Sequence, residues 1–279
     1  MLAGQPAADR AHLRSHSGRN AGRVFTLVPT AKEYTVPAPH LRTLLLERLR
    51  LPLPAIEAFC EGCGGQLDPQ GKHRASCPTS GRLKTRAAPI ERMVARIYRE
   101  AGARVRFNVM LRDMNLGVSA RDTRRIEVLA QDLPCYGGAQ LAVDVTLRSA
   151  LTTGGEAHPH AADVDGAVLE QAREDKETTY PEFHESRRCR LVVMGIETGG
   201  RWSDEAASVV WELATAKARE APGFMRKAVA LGWERRWTGL LSSACSVAFA
   251  ASLTEPKASL HFACAAGGEA PALADLLQR

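Results

Sequence analysis

The sequence predicts a mixed α/β (α+β) domain, preceded by a short metal-binding segment and followed by a helical extension. Three observations support this prediction. Hydrophobic residues make up 45% of the 279 residues and charged residues 24%, which excludes a wholly disordered chain. Over residues 89–197 the apolar spacing follows the order helix, strand, strand, strand, helix, strand. Residues 60–81 are rich in cysteine, glycine and proline and show little apolar periodicity.

The N-terminal segments carry little apolar pattern. Residues 1–40 are basic and we expect them to be mostly disordered, since four arginines in 1–23 face a single aspartate. Residues 41–49 have amphipathic spacing and predict a short helix that ends before the Pro52 and Pro54 pair. No apolar run reaches the roughly 20 residues of a membrane span, so we expect no membrane partner.

The central elements follow from the spacing of their apolar residues. Pro89 suits a first helical position, and Ile90 and Val94 follow at helical intervals, which predicts a helix over 89–101. Alternating apolar residues predict the first three strands, and a continuous apolar run predicts the fourth. The strands are expected over 103–109, 124–130, 140–147 and 190–197, and further helices over 162–179, 204–220, 223–240 and 242–253.

Four metal-ligating residues have the spacing of a closed zinc site. They are Cys60, Cys63, His73 and Cys77, in the pattern C-x2-C-x9-H-x3-C. Three thiolates and one imidazole form a tetrahedral zinc site without an open position for catalysis. Zinc would supply the folding free energy that so few apolar residues cannot provide. The alternative is four unrelated loop residues, and the ligand types and spacing favour structural zinc.

The net charge of +6 is the sum of two opposed blocks and a basic remainder. Residues 82–125 contain twelve basic and four acidic residues, whereas residues 126–185 contain three basic and twelve acidic residues. Such blocks are typical of solvated helix faces, and they also fit a phosphate-binding surface beside metal-binding carboxylates. The residues that we expect to contact DNA, with RNA as the alternative, are Arg82, Lys84, Arg86, Arg92, Arg96 and Arg99.

Two acids and a lysine form a second candidate site. Glu127 and Asp144 lie on neighbouring predicted strands, and Lys176 lies on the following helix. Leu169 and Ala172 share the face of Lys176, which turns this lysine toward the sheet. Two carboxylates can hold Mg²⁺, and a nearby ammonium can stabilise charge that develops on a phosphate. Taken singly, each residue fits an edge charge or a helix salt bridge, and the order of the elements favours a site.

This order and these motifs resemble the PD-(D/E)xK nuclease core. In particular, they are similar to the restriction-like endonuclease region at the C-terminus of site-specific non-LTR retrotransposon polyproteins. The resemblance spans about 57–253 and implies an αβββαβ core. The matching stretches are the knuckle at 60–77, RRIEV at 124–128, LAVDVTL at 141–147, KETTY at 176–180 and VVMGIETGGRW at 192–202. The implied organisation is a tail over 1–40, a short helix and CCHC zinc knuckle over 41–81, a restriction-endonuclease-like core over 82–202 and a helical extension over 203–279.

The resemblance implies a Mg²⁺-dependent endonuclease that nicks target DNA in the nucleus. It implies that Glu127 and Asp144 bind Mg²⁺, that Lys176 is catalytic with them, and that Tyr180 supports them in the active site. It also implies an upstream reverse-transcriptase domain as a partner, since no Tyr-x-Asp-Asp motif occurs in this chain. Glu127 stands where the family has an aspartate, which motivates the alternative: a catalytically inactive zinc-knuckle protein that binds nucleic acid and descends from such a nuclease.

Overall fold

A computed structural model describes residues 4–54 and 57–255 of the chain. The part of the predicted C-terminal extension beyond residue 255 lies outside the described residues. The regular elements are α1 (Ala7–Ser15), α2 (Ala38–Arg48), α3 (Lys72–Ser76), α4 (Arg82–Glu100), β1 (Arg104–Met110), β2 (Arg125–Gln131), β3 (Gln140–Arg148), α5 (Ala167–Thr179), α6 (Glu182–Glu185), β4 (Cys189–Glu197), α7 (Asp204–Lys217) and α8 (Arg226–Thr254).

The four strands form one mixed sheet in the order β1-β2-β3-β4. The first two pairings are antiparallel, and β3 pairs with β4 in parallel. A parallel pair needs a long crossover connection, and here α5 and the short α6 lie in that connection. The prediction of a mixed α/β fold is therefore confirmed.

The two faces of the sheet are covered differently. On one face, Val143 and Val192 belong to the larger core, which also contains buried residues of α4, α7 and α8. On the other face, Ala142 and Leu191 pack in a smaller cluster that includes Phe183 of α6. Successive residues of a strand point to opposite faces, so the alternation along β3 assigns its side chains to these two layers.

The predicted C-terminal helices over 223–240 and 242–253 are a single helix, α8, of 29 residues. The expected break at residue 241 is wrong because buried packing keeps the helix continuous, even across Gly239, whose helix propensity is low. The segment Gly223–Thr254 is long and apolar enough to cross a membrane. However, 78% of its most apolar 18-residue stretch is buried inside the protein, as in a core helix.

The N-terminal segment is not the mostly disordered tail that its composition predicts. From residue 4 onward it contains α1 and short 3-10 turns, and the side chains of Ala11 and Tyr34 are buried. Arg14 of α1 lies 2.6 Å from the carboxylate of Asp165, in the acidic block. The prediction fails because the acids that compensate this basic segment lie about 150 residues away in sequence.

Helix α4 also begins earlier than predicted. It starts at Arg82, so Pro89 lies inside the helix rather than at its first position. The helix ends at Glu100, close to the expected end, and Gly102 follows with a positive φ of 102°. The longer helix adds two turns that face the segment with Cys60, Cys63, His73 and Cys77, and these turns carry several of the basic residues discussed below.

Candidate functional site

The first candidate site is the Cys3His cluster predicted from the sequence. Its four ligand atoms lie within 4.8 Å of one another. The sulfur of Cys77 is 3.8 Å from that of Cys60 and 3.8 Å from that of Cys63. The sulfur of Cys63 is 3.2 Å from Nε2 of His73. A tetrahedral zinc ion with ~2.3 Å bonds to sulfur separates its sulfur ligands by ~3.8 Å. The cluster is therefore compatible with a CCHC zinc knuckle and can bind zinc.

The backbone around the ligands folds tightly, and glycine makes this folding possible. The N–H of Cys60 donates a 2.8 Å hydrogen bond to the carbonyl of Gly65. The N–H of Gly65 in turn lies 3.4 Å from the sulfur of Cys63 and donates to it. At Gly62, an added Cβ would lie only 2.3 Å from the backbone oxygen of Thr79. Any larger residue at Gly62 would therefore push the two ligand-bearing segments apart.

Asp68 orients the histidine ligand, although it is not among the predicted site residues. Its carboxylate accepts backbone hydrogen bonds from Gln70, Lys72 and His73 at 3.0, 3.1 and 2.8 Å. These bonds occupy free N–H groups at the start of α3, the helix that carries His73. The Asp-Pro-Gln-Gly sequence at 68–71 is typical of such a side-chain-stabilised turn, so this signal was present in the sequence.

The environment of Cys77 favours the form of cysteine that binds zinc. Burial raises the pKa of its thiol, but hydrogen bonds from the hydroxyl and backbone of Thr79 and from the backbone of Ser80 outweigh burial and lower the pKa to about 6. A thiolate is the metal-binding form of cysteine, so this ligand is largely deprotonated at neutral pH.

Two buried arginines, Arg74 in the knuckle and Arg82 at the start of α4, bind the end of α8. Arg74 of α3 donates a 2.6 Å hydrogen bond to the carbonyl of Leu253. Arg82 donates to the carbonyls of Ser252 and Glu255 at 3.1 and 2.7 Å. The last carbonyls of a helix lack intrahelical partners and carry partial negative charge, so a cation there is stabilising. The knuckle is therefore part of the same packed unit as α8.

The second candidate site lies where β2 meets β3. Val128 pairs with Val143 in the antiparallel register, so the next residues along the two strands, Glu127 and Asp144, are opposed. Oε2 of Glu127 accepts a 2.7 Å hydrogen bond from the backbone N–H of Val145, which holds its carboxylate beside Asp144. The structure thus brings together the two acids that the sequence singled out.

Lys176 of α5 lies at the same position. Its Nζ is 2.8 Å from both carboxylate oxygens of Asp144 and donates a hydrogen bond to Oδ2. The carboxylate is 1% exposed and the lysine side chain 25% exposed. Oδ1 of Asp144 is buried and has no hydrogen-bond partner of suitable geometry within the described chain. The ammonium of Lys176 nevertheless lies 2.8 Å from Oδ1, so a metal ion bound there would share this carboxylate with Lys176.

Both acids hold their protons more tightly than usual. Burial raises the pKa of Glu127 to about 8, and the charge of Asp144 adds to this effect. Burial also raises the pKa of Asp144, against the opposing attraction of Lys176. Two carboxylates that share a buried site repel each other when ionised, so they favour a shared proton or a bound cation.

A third carboxylate, Glu91 of α4, was missed in the sequence. Burial and then the charge of Asp144 raise the pKa of Glu91, and Glu91 in turn raises that of Glu127. The three acids therefore interact electrostatically across α4, β2 and β3. Glu91 is the single acid within the basic stretch 82–99, and this interruption of the charge pattern is the signal that could have identified it.

Tyr180 lies next to this group and contacts the backbone. It is buried, and its hydroxyl donates a 2.9 Å hydrogen bond to the carbonyl of Arg125 in β2. Burial, followed by the charges of Asp144 and Glu127, raises the pKa of its phenol to about 12. Tyr180 is therefore neutral at physiological pH, and it holds the beginning of β2 in place.

The predicted nucleic-acid contacts at Arg82 and Arg86 are wrong. These side chains are 3% and 2% exposed. Arg86 donates 2.8 Å hydrogen bonds to the carbonyls of Ala75 and Leu147, and Arg82 binds the end of α8 as described above. The physical reason is that the knuckle and α8 cover this side of α4. Helical spacing shows which residues share a face, but it does not show what covers that face.

Arg96 is also engaged inside the protein. Its guanidinium lies 3.0 Å from a carboxylate oxygen of Glu33 and 3.0 Å from one of Glu100, and its side chain is 13% exposed. The prediction that Arg96 contacts phosphate is therefore corrected as well. The basic residues of α4 that do face solvent are Lys84, Arg92 and Arg99.

Comparison with known proteins adds no assignment. No protein-family model matches the chain, and no curated protein matches it. The resemblance to restriction-like endonucleases therefore stays a prediction, and the function has to be inferred from the two clusters themselves.

Proposed function

We propose that the chain is a retrotransposon-derived, metal-dependent endonuclease that nicks DNA, built on a PD-(D/E)xK core with a structural zinc knuckle. The observation that carries the proposal is the meeting of Glu127 and Asp144, from adjacent strands, with the ammonium of Lys176 at 2.8 Å from Asp144. The succession α4, β1, β2, β3, α5, β4, interrupted by the short α6 before β4, supports it, because that core is expected to follow the order αβββαβ.

Mg²⁺ at this site would polarise the scissile phosphodiester and lower the pKa of an attacking water. Glu127 and Asp144 would hold the ion, since a hard cation prefers carboxylate oxygens, and the ion would share the carboxylate of Asp144 with Lys176. Glu127 has to lose its proton first, so we expect activity to rise with pH toward about 8. In the hydrolysis, the oxygen of water forms a bond to phosphorus, one ester P–O bond breaks, and the leaving oxygen takes a proton.

The remaining residues have supporting roles in this proposal. Lys176 lies close enough to Asp144 to favour the ionised carboxylate against the effect of burial, and its ammonium would stabilise negative charge on the phosphate. Tyr180 would hold β2 in register. Lys84 and Arg92 of α4 are exposed cations that would contact the DNA backbone. The proposed location is the nucleus, RNA is the alternative substrate, and an upstream reverse-transcriptase domain is a proposed partner.

Plasmid nicking in the presence of Mg²⁺ tests the proposal. We expect the full chain to convert supercoiled DNA to the relaxed form, and Asp144→Asn to lose at least ~100-fold in rate, because it removes a metal-binding charge. Asp163→Asn is the matched control, since this acid of the same block is exposed and pairs with Arg10 instead. Equal nicking by the wild type and by Asp144→Asn would overturn the enzyme proposal.

One observation favours a second function, that of a catalytically inactive zinc-knuckle protein that binds nucleic acid. Asp144 is almost fully buried and Lys176 already neutralises it, so the pair is also stable as an internal salt bridge. Fluorescence anisotropy with labelled duplex DNA separates the two functions. Binding that is equal in the wild type and in Asp144→Asn, with no nicking by either, would establish the binding function.

A further inference from the structure

A second group of metal-ligating side chains lies apart from the Cys3His cluster and the carboxylates. His12 and His16 of α1 and Glu47 of α2 each offer a ligand atom, and these atoms lie within 4.8 Å of one another. The two histidines are four residues apart and therefore share one face of α1. Their side chains are 8% and 9% exposed, and that of Glu47 is 14% exposed. Burial of three such groups together requires a compensating interaction.

The hydrogen bonding of His12 shows which of its nitrogens is free. Nε2 lies 3.4 Å from the carbonyl of Arg48, so this nitrogen carries the proton and donates it. The lone pair of Nδ1 then faces Oε1 of Glu47 at 3.7 Å. Two acceptors that face each other in a buried place attract a cation between them. A backbone carbonyl that fixes the histidine tautomer in this way is the usual outer partner of a metal-binding imidazole.

His16 presents its nitrogen to the other oxygen of Glu47. Its Nε2 is 3.1 Å from Oε2, yet it is buried and makes no hydrogen bond of acceptable geometry with the described residues. Nitrogen and oxygen ligands of a tetrahedral zinc ion, with bonds of ~2.0–2.1 Å, are separated by ~3.3 Å. The observed 3.1 and 3.7 Å lie on either side of that value.

We propose that His12, His16 and Glu47 form a second zinc site, with an open fourth position that takes water or an anionic ligand. Two imidazoles and one carboxylate are a ligand set that zinc uses where one position stays open, in contrast to the closed Cys3His cluster. The three ligands line a cleft that also contains Lys72 and Ser149. A cation beside the open position would favour an anion there.

Of the two arginines that face the site, Arg50 can stay in place when an ion binds, whereas Arg48 has to give up one contact. Arg50 forms an ion pair with Asp9, so its charge is already compensated. Arg48 places Nη1 at 3.2 Å from Nδ1 of His16 and donates from Nη2 to the carbonyl of His16 at 3.0 Å. Zinc on Nε2 would put the proton of His16 on Nδ1. The Nη1 contact would then be lost, whereas the bond from Nη2 to the backbone would persist.

Burial supports the same assignment for His12. It lowers the pKa of this histidine, despite the opposing charge of Glu47. The imidazole is therefore neutral at physiological pH, which is the form that binds a metal. This site does not depend on the proposed nuclease activity, and its test does not use that activity.

Zinc content of the full chain tests the proposal. We expect two zinc ions per wild-type chain by elemental analysis after gel filtration, and one per chain for His16→Gln and for Glu47→Gln. His184→Gln, in an exposed position of α6, is the matched control and should keep two. The near-isosteric Glu47→Gln tests the ligand charge with little change of shape.

Replacement of zinc by Co²⁺ distinguishes the two sites and reports on folding. The Cys3His cluster gives a thiolate-to-cobalt charge-transfer band, and the histidine–glutamate site gives none. We expect His16→Gln to lose one equivalent of Co²⁺ without losing this band. A wild-type content of one ion per chain that stays at one in His16→Gln would overturn the proposal, as would two ions in both variants.

Discussion

The ammonium of Lys176 lies 2.8 Å from both carboxylate oxygens of Asp144, so a partly exposed cation on α5 neutralises a buried anion at the centre of β3. This ion pair crosses from the helical layer to the sheet. Because the carboxylate is buried, removal of its partner leaves a charge without compensation. The pair therefore links the stability of the fold to the chemistry of the candidate site.

Lys176→Met should lower the free energy of unfolding by about 2–4 kcal/mol at pH 8, because it leaves Asp144 buried and unpaired. Urea unfolding of the full chain measures this loss. The double variant Asp144→Asn, Lys176→Met is the control and should recover a large part of it, since no charge then remains buried. A loss of less than ~0.5 kcal/mol in the single variant would contradict the interpretation.

Stability should fall as the pH rises toward 8, because the raised pKa of Glu127 stabilises the folded state only while this carboxyl stays protonated. The folded protein keeps this proton up to a pKa of about 8, whereas the unfolded chain releases it near the ordinary value, so the folded state binds more protons between these values. The contribution of Glu127 to the free energy of unfolding is complete below its ordinary pKa and is lost as the pH rises to about 8. Over this range the free energy of unfolding falls by at most ~1.4 kcal/mol per pH unit.

Glu127→Gln isolates this contribution. Its unfolding free energy should depend less on pH than that of the wild type between pH 5 and 8.5 in a buffer free of divalent ions. Added Mg²⁺ should stabilise the wild type at pH 8 more than the variant, since the ion replaces the proton. Parallel pH profiles of the two proteins would show that Glu127 is not the group that titrates.

The exposed and buried cations of α4 should behave in opposite ways. Lys84→Ala and Arg92→Ala should each weaken DNA binding and reduce the slope of log affinity against log salt by about 1. Arg82→Met should leave that slope unchanged and instead lower stability by about 2–4 kcal/mol, because it leaves buried carbonyls without donors. A reduced salt slope for folded Arg82→Met would contradict its assignment as an internal anchor.

Removal of zinc from the Cys3His cluster should loosen the end of α8. Arg74, which follows the ligand His73, binds the carbonyl of Leu253, so disorder of the knuckle would release that carbonyl. Hydrogen–deuterium exchange over 245–255 should therefore increase in Cys60→Ser, together with a fall of several degrees in Tm. Cys135→Ser, outside the cluster, is the control. Unchanged exchange at the end of α8 would rule out this link.

Much of the sheet and part of the site could be predicted from local patterns. The strand with Asp144 was expected over 140–147 and spans Gln140–Arg148, because alternation of apolar residues reports directly on a strand. The approach of Lys176 to Asp144 agrees with the predicted face of α5. The burial of Arg82 could not be predicted, because its covering helix lies about 170 residues later in the sequence.

Separation in sequence also explains why the N-terminal segment was wrongly predicted to be disordered. From its neighbours in sequence, Arg14 is predicted to belong to a solvated basic tail, because its partner Asp165 lies far away in the chain. Periodicity and composition describe neighbours in sequence, whereas contacts between remote segments depend on how the whole chain packs. The His12, His16 and Glu47 cluster is one of these contacts between remote segments, since it forms only when α1 and α2 come together.

The hydrogen bond from Arg82 to the carbonyl of Glu255 joins residues 173 positions apart, and this sets an order of folding. During synthesis, the segment with the zinc ligands leaves the ribosome long before α8 exists. Arg74 and Arg82 then lack their carbonyl acceptors at the end of α8, so the early knuckle depends on local contacts such as the backbone hydrogen bonds to Asp68. Closure of so long a loop is a late and slow event. A chain that stops before residue 252 would therefore keep its knuckle sequence but lack the contacts that fix the knuckle to the domain.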